Sequence, residues 1–102
     1  MEEILNKIEA HLKTVDGLPE DKVPDNLEKF KNNPDIAAEF VKYLENGDFP
    51  TENPLSVEGY TAKQIKDLAP FLQPVGVYNF LITLRTDPDF AKEMIENNFI
   101  LR

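Results

Sequence analysis

The sequence predicts an all-α fold, a compact bundle of five to six short helices with two helical hairpins and one long loop over residues 48–60. Three observations predict it. Apolar residues recur at three- and four-residue steps along most of the chain. Gly, Pro, Asn and Asp punctuate those segments at helix-length intervals. No stretch sustains the alternation that a sheet needs. With 102 residues, the chain is expected to form one helical domain, 1–102, large enough to bury a core without staples.

The first helix carries Ile4, Leu5, Ile8, Leu12 and Val15 on one side, with Glu2, Glu3, Lys7, Glu9 and Lys13 on the others. Acids lead and Lys13 trails, which suits the helix dipole, and Asp16-Gly17 supplies the stop. Leu18-Pro19 through Val23-Pro24 reads as a loop, because each proline pushes its predecessor out of the α region. A short second helix follows Asp25, with Leu27 and Phe30 as its apolar edge. Asn33 is expected to cap the third helix with Pro34 at its first position, and Asn46-Gly47 closes it. Its stripe is Ile36, Ala37, Phe40, Val41 and Leu44.

Asp48 to Tyr60 contains Pro50, Pro54 and Gly59 and shows no helical period, so a long loop is expected there. Leu55 and Val57 alternate around Ser56, which permits a short extended piece but offers no pairing partner. Thr61 caps a fourth helix, Ala62 to Ala69, with Ile65, Leu68 and Ala69 facing inward, and Phe71 and Leu72 are expected to bury the turn after Pro70. The fifth helix runs from near Pro74 to about Arg85 on Val77, Phe80, Leu81 and Leu84. Asp87-Pro88 opens a sixth, with Phe90, Ala91, Met94 and Ile95 inside.

Leu27 to Val41 and Leu81 to Ile95 share the pattern of a helix, an Asn/Asp-Pro-Asp junction and a second helix, at a constant offset of 54 residues. Two readings fit. Either a binding unit is duplicated, or capping chemistry has found the same helix start twice.

Composition bounds the function. Without cysteine there are no disulfides, thiolate zinc sites or thiol nucleophiles, which fits a reducing cytoplasm, the expected location. No apolar run is long enough to span a bilayer, and the beginning carries acids and a helical stripe where a signal peptide carries a basic end, so no membrane partner is expected. A formal charge of −8 disfavours nucleic acid at long range. That charge is uneven: residues 1–58 hold 14 acids and 6 bases, residues 59–86 hold 1 acid and 3 bases, and residues 87–102 hold 4 acids and 2 bases.

The motifs of catalysis are missing. His11 is the lone histidine, and no G-x-S-x-G turn presents a nucleophile. Carboxylates such as Glu2, Glu3, Asp35, Glu39, Asp89 and Glu93 read as helix starts and solvated faces rather than a converging cleft. Asp48 and Glu52 flank a loop in which Phe49 and Pro50 stand where calcium ligands would be needed. Four dispersed glycines make no phosphate cradle. The chain is therefore expected not to be an enzyme, and to hold no cofactor or metal.

Residues 61–85 are more suggestive. A capped helix, a proline-bounded turn and a second helix resemble a helix-turn-helix, with Gln73, Tyr78, Asn79 and Thr83 outward and Lys63, Lys66 and Arg85 near phosphates. A proline at each end of a long turn, a reading helix with one Arg and no Lys, and the acidic total all depart from that motif. Tyr43, Phe49, Tyr60 and Tyr78 surround the long loop, where aromatic residues either seal a core or serve an interface. The apolar run Phe99-Ile100-Leu101 either docks on the first helix or pairs with another chain.

The run Asn53-Pro54-Leu55-Ser56-Val57-Glu58-Gly59-Tyr60-Thr61-Ala62-Lys63-Gln64, followed by Val77-Tyr78-Asn79-Phe80-Leu81, resembles small uncharacterised all-helical proteins of Gram-positive gut bacteria. The resemblance covers roughly the second half. It implies a bacterial cytoplasmic setting and carries over no site residue.

The expected function is a non-enzymatic helical protein-interaction module, with a protein partner or self-association. Its candidate surface joins Phe49 and Tyr60 to Gln73, Tyr78, Asn79, Thr83 and Arg85. The alternative is an accessory DNA-binding or regulatory protein that uses segment 61–85.

Overall fold

Proline and glycine set nearly every helix boundary in the computed structural model, which describes residues 2–15 and 17–97. The fold is all-α: helices α1 (Glu2–Thr14), α2 (Val23–Lys31), α3 (Pro34–Asn46), α4 (Ala62–Leu68), α5 (Pro74–Thr86) and α6 (Pro88–Glu96), with one two-residue hairpin, β1 (Ser56–Val57) and β2 (Tyr60–Thr61). The chain divides into two compact units, Met1–Asp48 and Phe49–Arg102.

In the first unit α1 packs on both α2 and α3, and α2 packs on α3. Ile8 and Leu12, one helical turn apart, are the buried residues of α1, whereas Val15 is exposed beyond its end. Phe30 and Phe40 stack at 5.3 Å between centroids, and His11 and Phe40 meet in a T-shaped arrangement with centroids 5.7 Å apart. His11 is thus a packing residue at the rim of the core. Lys7 and Glu45 join α1 to α3 at 2.9 Å.

Three local readings need correction in this unit. Pro24 lies inside the first turn of α2 rather than in the preceding loop, since a residue there donates no intrahelical bond and its missing N–H costs nothing. Asn33 precedes α3 as expected but does not cap it: its Nδ2 donates to the Lys29 carbonyl at 2.8 Å, back toward α2. Asp35 Oδ1 instead accepts from the Ile36 N–H at 2.9 Å. Glu39, read as a solvated acid, is only 7% exposed. At the other end of α3, Gly47 takes φ +80° and its N–H closes on the Tyr43 carbonyl at 2.7 Å.

In the second unit the long loop supplies its own pairing partner. Ser56 pairs with Thr61 and Val57 with Tyr60 across a two-residue turn, Glu58-Gly59, both at positive φ (+53° and +85°). No pairing partner was expected for this extended piece, and Tyr60-Thr61 is one. Thr61 then ends the ladder and starts α4 through a capping box: its hydroxyl accepts from the Gln64 N–H, and the Gln64 side chain accepts from the Thr61 N–H. α4 packs on α5, and α5 on α6 and β1. Lys66 Nζ donates to the carbonyls of Pro70 and Leu72 and so holds the α4–α5 connection.

Asp87 does what Asn33 does not. Its carboxylate accepts from the Phe90 N–H at 3.3 Å and caps α6. The backbone is nevertheless the same at both junctions, φ −133° and ψ 68° at Asn33 against φ −144° and ψ 72° at Asp87.

Candidate functional site

α5 has too many apolar residues for one stripe. Val77, Tyr78, Phe80, Leu81, Ile82 and Leu84 are all buried, so neighbours cover most of its circumference. One narrow strip, Gly76, Asn79, Phe80 and Thr83, opens onto a groove of about 290 Å³. Phe71 and Leu72 from the α4–α5 connection and Phe90 and Met94 of α6 complete its lining.

Phe71 is 60% exposed and Phe90 51% exposed, although the sequence pattern placed both inside. For Phe90 the physical reason is its position on α6. Among the described residues α6 packs chiefly on α5, which buries Ala91 on one side of its stripe and leaves Phe90 uncovered on the other. Leu68, also expected inside, is 44% exposed.

Gly76 shapes the floor. Its φ is ordinary for a helix, and an added Cβ would come no nearer than 3.5 Å to Leu72 Cδ2, an ordinary contact. A glycine in a helix interior costs up to about 1 kcal/mol relative to alanine. Neither backbone nor packing requires one here, and its effect is to keep the groove deep. Asn79 and Thr83 add the polar groups, and the Thr83 hydroxyl donates to the Asn79 carbonyl at 3.1 Å.

The expected surface residues separate. Asn79 and Thr83 line the groove. Gln73 is exposed at the N-cap of α5, and Arg85 is exposed in its last turn. Tyr78 is 0% exposed rather than outward, and the half-buried Phe49 packs against it with ring centroids 6.0 Å apart. Phe49 and Tyr78 therefore seal the loop onto α5. Tyr60 is half-buried in β2. Sequence reasoning missed Phe71, Leu72, Gly76, Phe80, Phe90 and Met94 as groove residues. Gly76, a glycine inside a helical stretch, is the signal that could have found them.

Exposed acids gather on the α6 side of the groove. Asp89, Glu93 and Glu96 are exposed on α6. Lys92, the one base of that helix, reaches Glu58 of the β1–β2 turn at 3.0 Å. Hydrogen bonding to Glu58, aided by its negative charge, raises the Lys92 pKa above the usual 10.5. Lys63 meets Asp67 at 3.6 Å, and Lys66 is turned to backbone carbonyls, so neither is arranged as a phosphate contact. Among the described residues no group of three or more His, Cys, Asp or Glu could hold a metal ion, and no helix is long and apolar enough to cross a membrane.

No protein-family model, curated protein or solved structure matches the chain.

Proposed function

We propose that the chain is a non-enzymatic protein-interaction module of the cytoplasm that seats a partner in the α5–α6 groove. One observation carries this reading: two aromatic side chains that line an apolar groove, Phe71 and Phe90, stand more than half exposed. Exposed aromatic residues around a concave apolar surface are the usual anchors of a protein interface. The surface differs from the one the sequence suggested, since Asn79 and Thr83 remain while Phe49 and Tyr78 give way to Phe71, Phe90 and Met94. Reading DNA with α5 finds no such support, because a helix buried on most sides presents no recognition face.

The test is retention of cytosolic protein on the immobilised full chain, compared between wild type and Phe90→Ser. Binding that wild type shows and Phe90→Ser loses, with both proteins folded by circular dichroism, supports the groove. Identical retention by the two proteins would remove it as the partner surface.

A further inference from the structure

We propose that the groove's partner is a basic amphipathic helix, an inference that rests on reading the groove as a protein-binding surface. Three features of the second unit lead to it.

The first is the order of side chains on α6. Phe90 and Met94, four residues apart, make the apolar wall. Asp89, Glu93 and Glu96 follow the i, i+4, i+7 spacing on the adjoining face, so an acidic stripe runs beside the apolar one. Lys92 is the helix's one base and is engaged with Glu58, away from that stripe. The α5 residues of the groove carry no charge. The α6 rim of the groove is therefore acidic, while Lys66, bonded to the carbonyl of Leu72, sets a base at the α4–α5 connection.

The second is the material of the walls. The described residues that line the groove come from helices and a turn, so they offer no strand edge for an extended peptide to pair with. The aromatic residues are Phe71, Phe80 and Phe90, which lack the hydroxyl or indole donor that a proline-rich segment's carbonyls would require. A helix satisfies its own backbone and offers only side chains. At about 290 Å³ the groove has room for the few anchors that one helical face presents.

The third is like-charge repulsion. A second copy also carries −8, as would the surface of most acidic partners, and the acidic stripe disfavours both. Lysine or arginine flanking the partner's apolar stripe turns that stripe into an attraction.

The test uses three labelled synthetic peptides, each about four helical turns long. One carries leucines at i, i+4 and i+7 flanked by lysines. The second replaces the lysines with glutamates, and the third keeps the lysines but scatters the leucines. Fluorescence anisotropy with the full chain is expected to show binding of the first alone. Phe90→Ser weakens it by about tenfold or more, and Glu93→Lys with Glu96→Lys moves the preference to the glutamate peptide. Gly76→Leu, which fills the floor, gives the same loss as Phe90→Ser, and the exposed Phe90 position keeps the test readable if that variant fails to fold.

Equal binding of the lysine and glutamate peptides, still lost in Phe90→Ser, overturns the basic partner and leaves the groove reading intact. Equal binding of the scattered-leucine peptide overturns the amphipathic helix. A dimer seen by sedimentation that Phe90→Ser abolishes makes a second copy the occupant and overturns the proposal. If no peptide binds and Phe90→Ser changes no partner retention, both the proposal and the groove reading fall.

Discussion

The carboxylate of Glu58 lies 3.0 Å from the ammonium of Lys92, so the tip of the β1–β2 turn is tied to the middle of α6. Glu58 makes that contact from a left-handed backbone, φ +53°, which costs a residue with a Cβ roughly 1 kcal/mol and which asparagine tolerates better. Both side chains are about half exposed, where water and salt weaken an ion pair. Glu58→Asn is therefore expected to raise stability by about 0.5 kcal/mol, read as a rise in Tm of about 3 °C. A fall in Tm, repeated by Lys92→Gln, would mean that the ion pair and not the backbone governs the turn.

The two cross-element lysines set an alkaline limit. Hydrogen bonds to Glu45 and Glu58, followed by the attraction of those carboxylates, raise the pKa of Lys7 and Lys92 above 10.5 in the folded state. A raised lysine pKa gives stability that is complete below the unfolded value and is lost as pH climbs through the folded one. Between about pH 6 and pH 9 these pairs should leave stability flat. Above 10.5 wild type should lose stability more steeply than Lys7→Gln with Lys92→Gln, as thermal melts across pH would record. Parallel curves would show that the pairs are idle.

The same backbone junction is built with different chemistry at Asn33 and Asp87, and a reciprocal exchange separates the two. Asn33 donates its amide to the Lys29 carbonyl from a site only 6% exposed, a bond that a carboxylate cannot make. Asn33→Asp loses the donor and sets a buried charge against a carbonyl, at a cost of about 1–2 kcal/mol. Asp87 only accepts, from the Phe90 N–H, and an asparagine oxygen does this equally well. Asp87→Asn should stay within about 0.5 kcal/mol of wild type. Chemical denaturation of the two variants reads the difference, and equal costs would show that both side chains act as simple caps.

Helix positions were legible because their punctuation is local. Gly47 at positive φ, Thr61 with Gln64, and Pro74 each fix a boundary through chemistry within four residues. Pro24 misled because proline is permitted in a first turn as well as in a loop. The site was less legible for a different reason. Periodicity tells which side of a helix is apolar, not whether another element covers it. Phe90 and Ala91 share one stripe, yet only Ala91 is buried. Tyr78 looked outward because its hydroxyl is polar, but α5 is apolar on nearly every side, and that surplus marks a central helix. Phe99-Ile100-Leu101 lie outside the described residues.

One position, occupied twice, is buried in one helix and exposed in the other. Ile36 and Phe90 sit at the third residue of α3 and α6, 54 residues apart, each just after its Asn/Asp-Pro junction. Ile36 is 0% exposed and Phe90 51% exposed. Glu39 and Glu93, one turn further on, repeat the contrast, the first buried and the second open to solvent. Ile36→Ser removes a full core side chain and buries a hydroxyl, which should cost about 3 kcal/mol or more. Phe90→Ser gives up a side chain that already faces water over half its surface and should cost no more than about 1 kcal/mol. Melting temperatures of the two variants check the stability half of this expectation. Partner retention checks the other half, because the variant that scarcely changes stability is the one expected to lose binding. If Phe90→Ser proved as damaging to the fold as Ile36→Ser, Phe90 would be a core residue and its exposure no evidence for a binding groove.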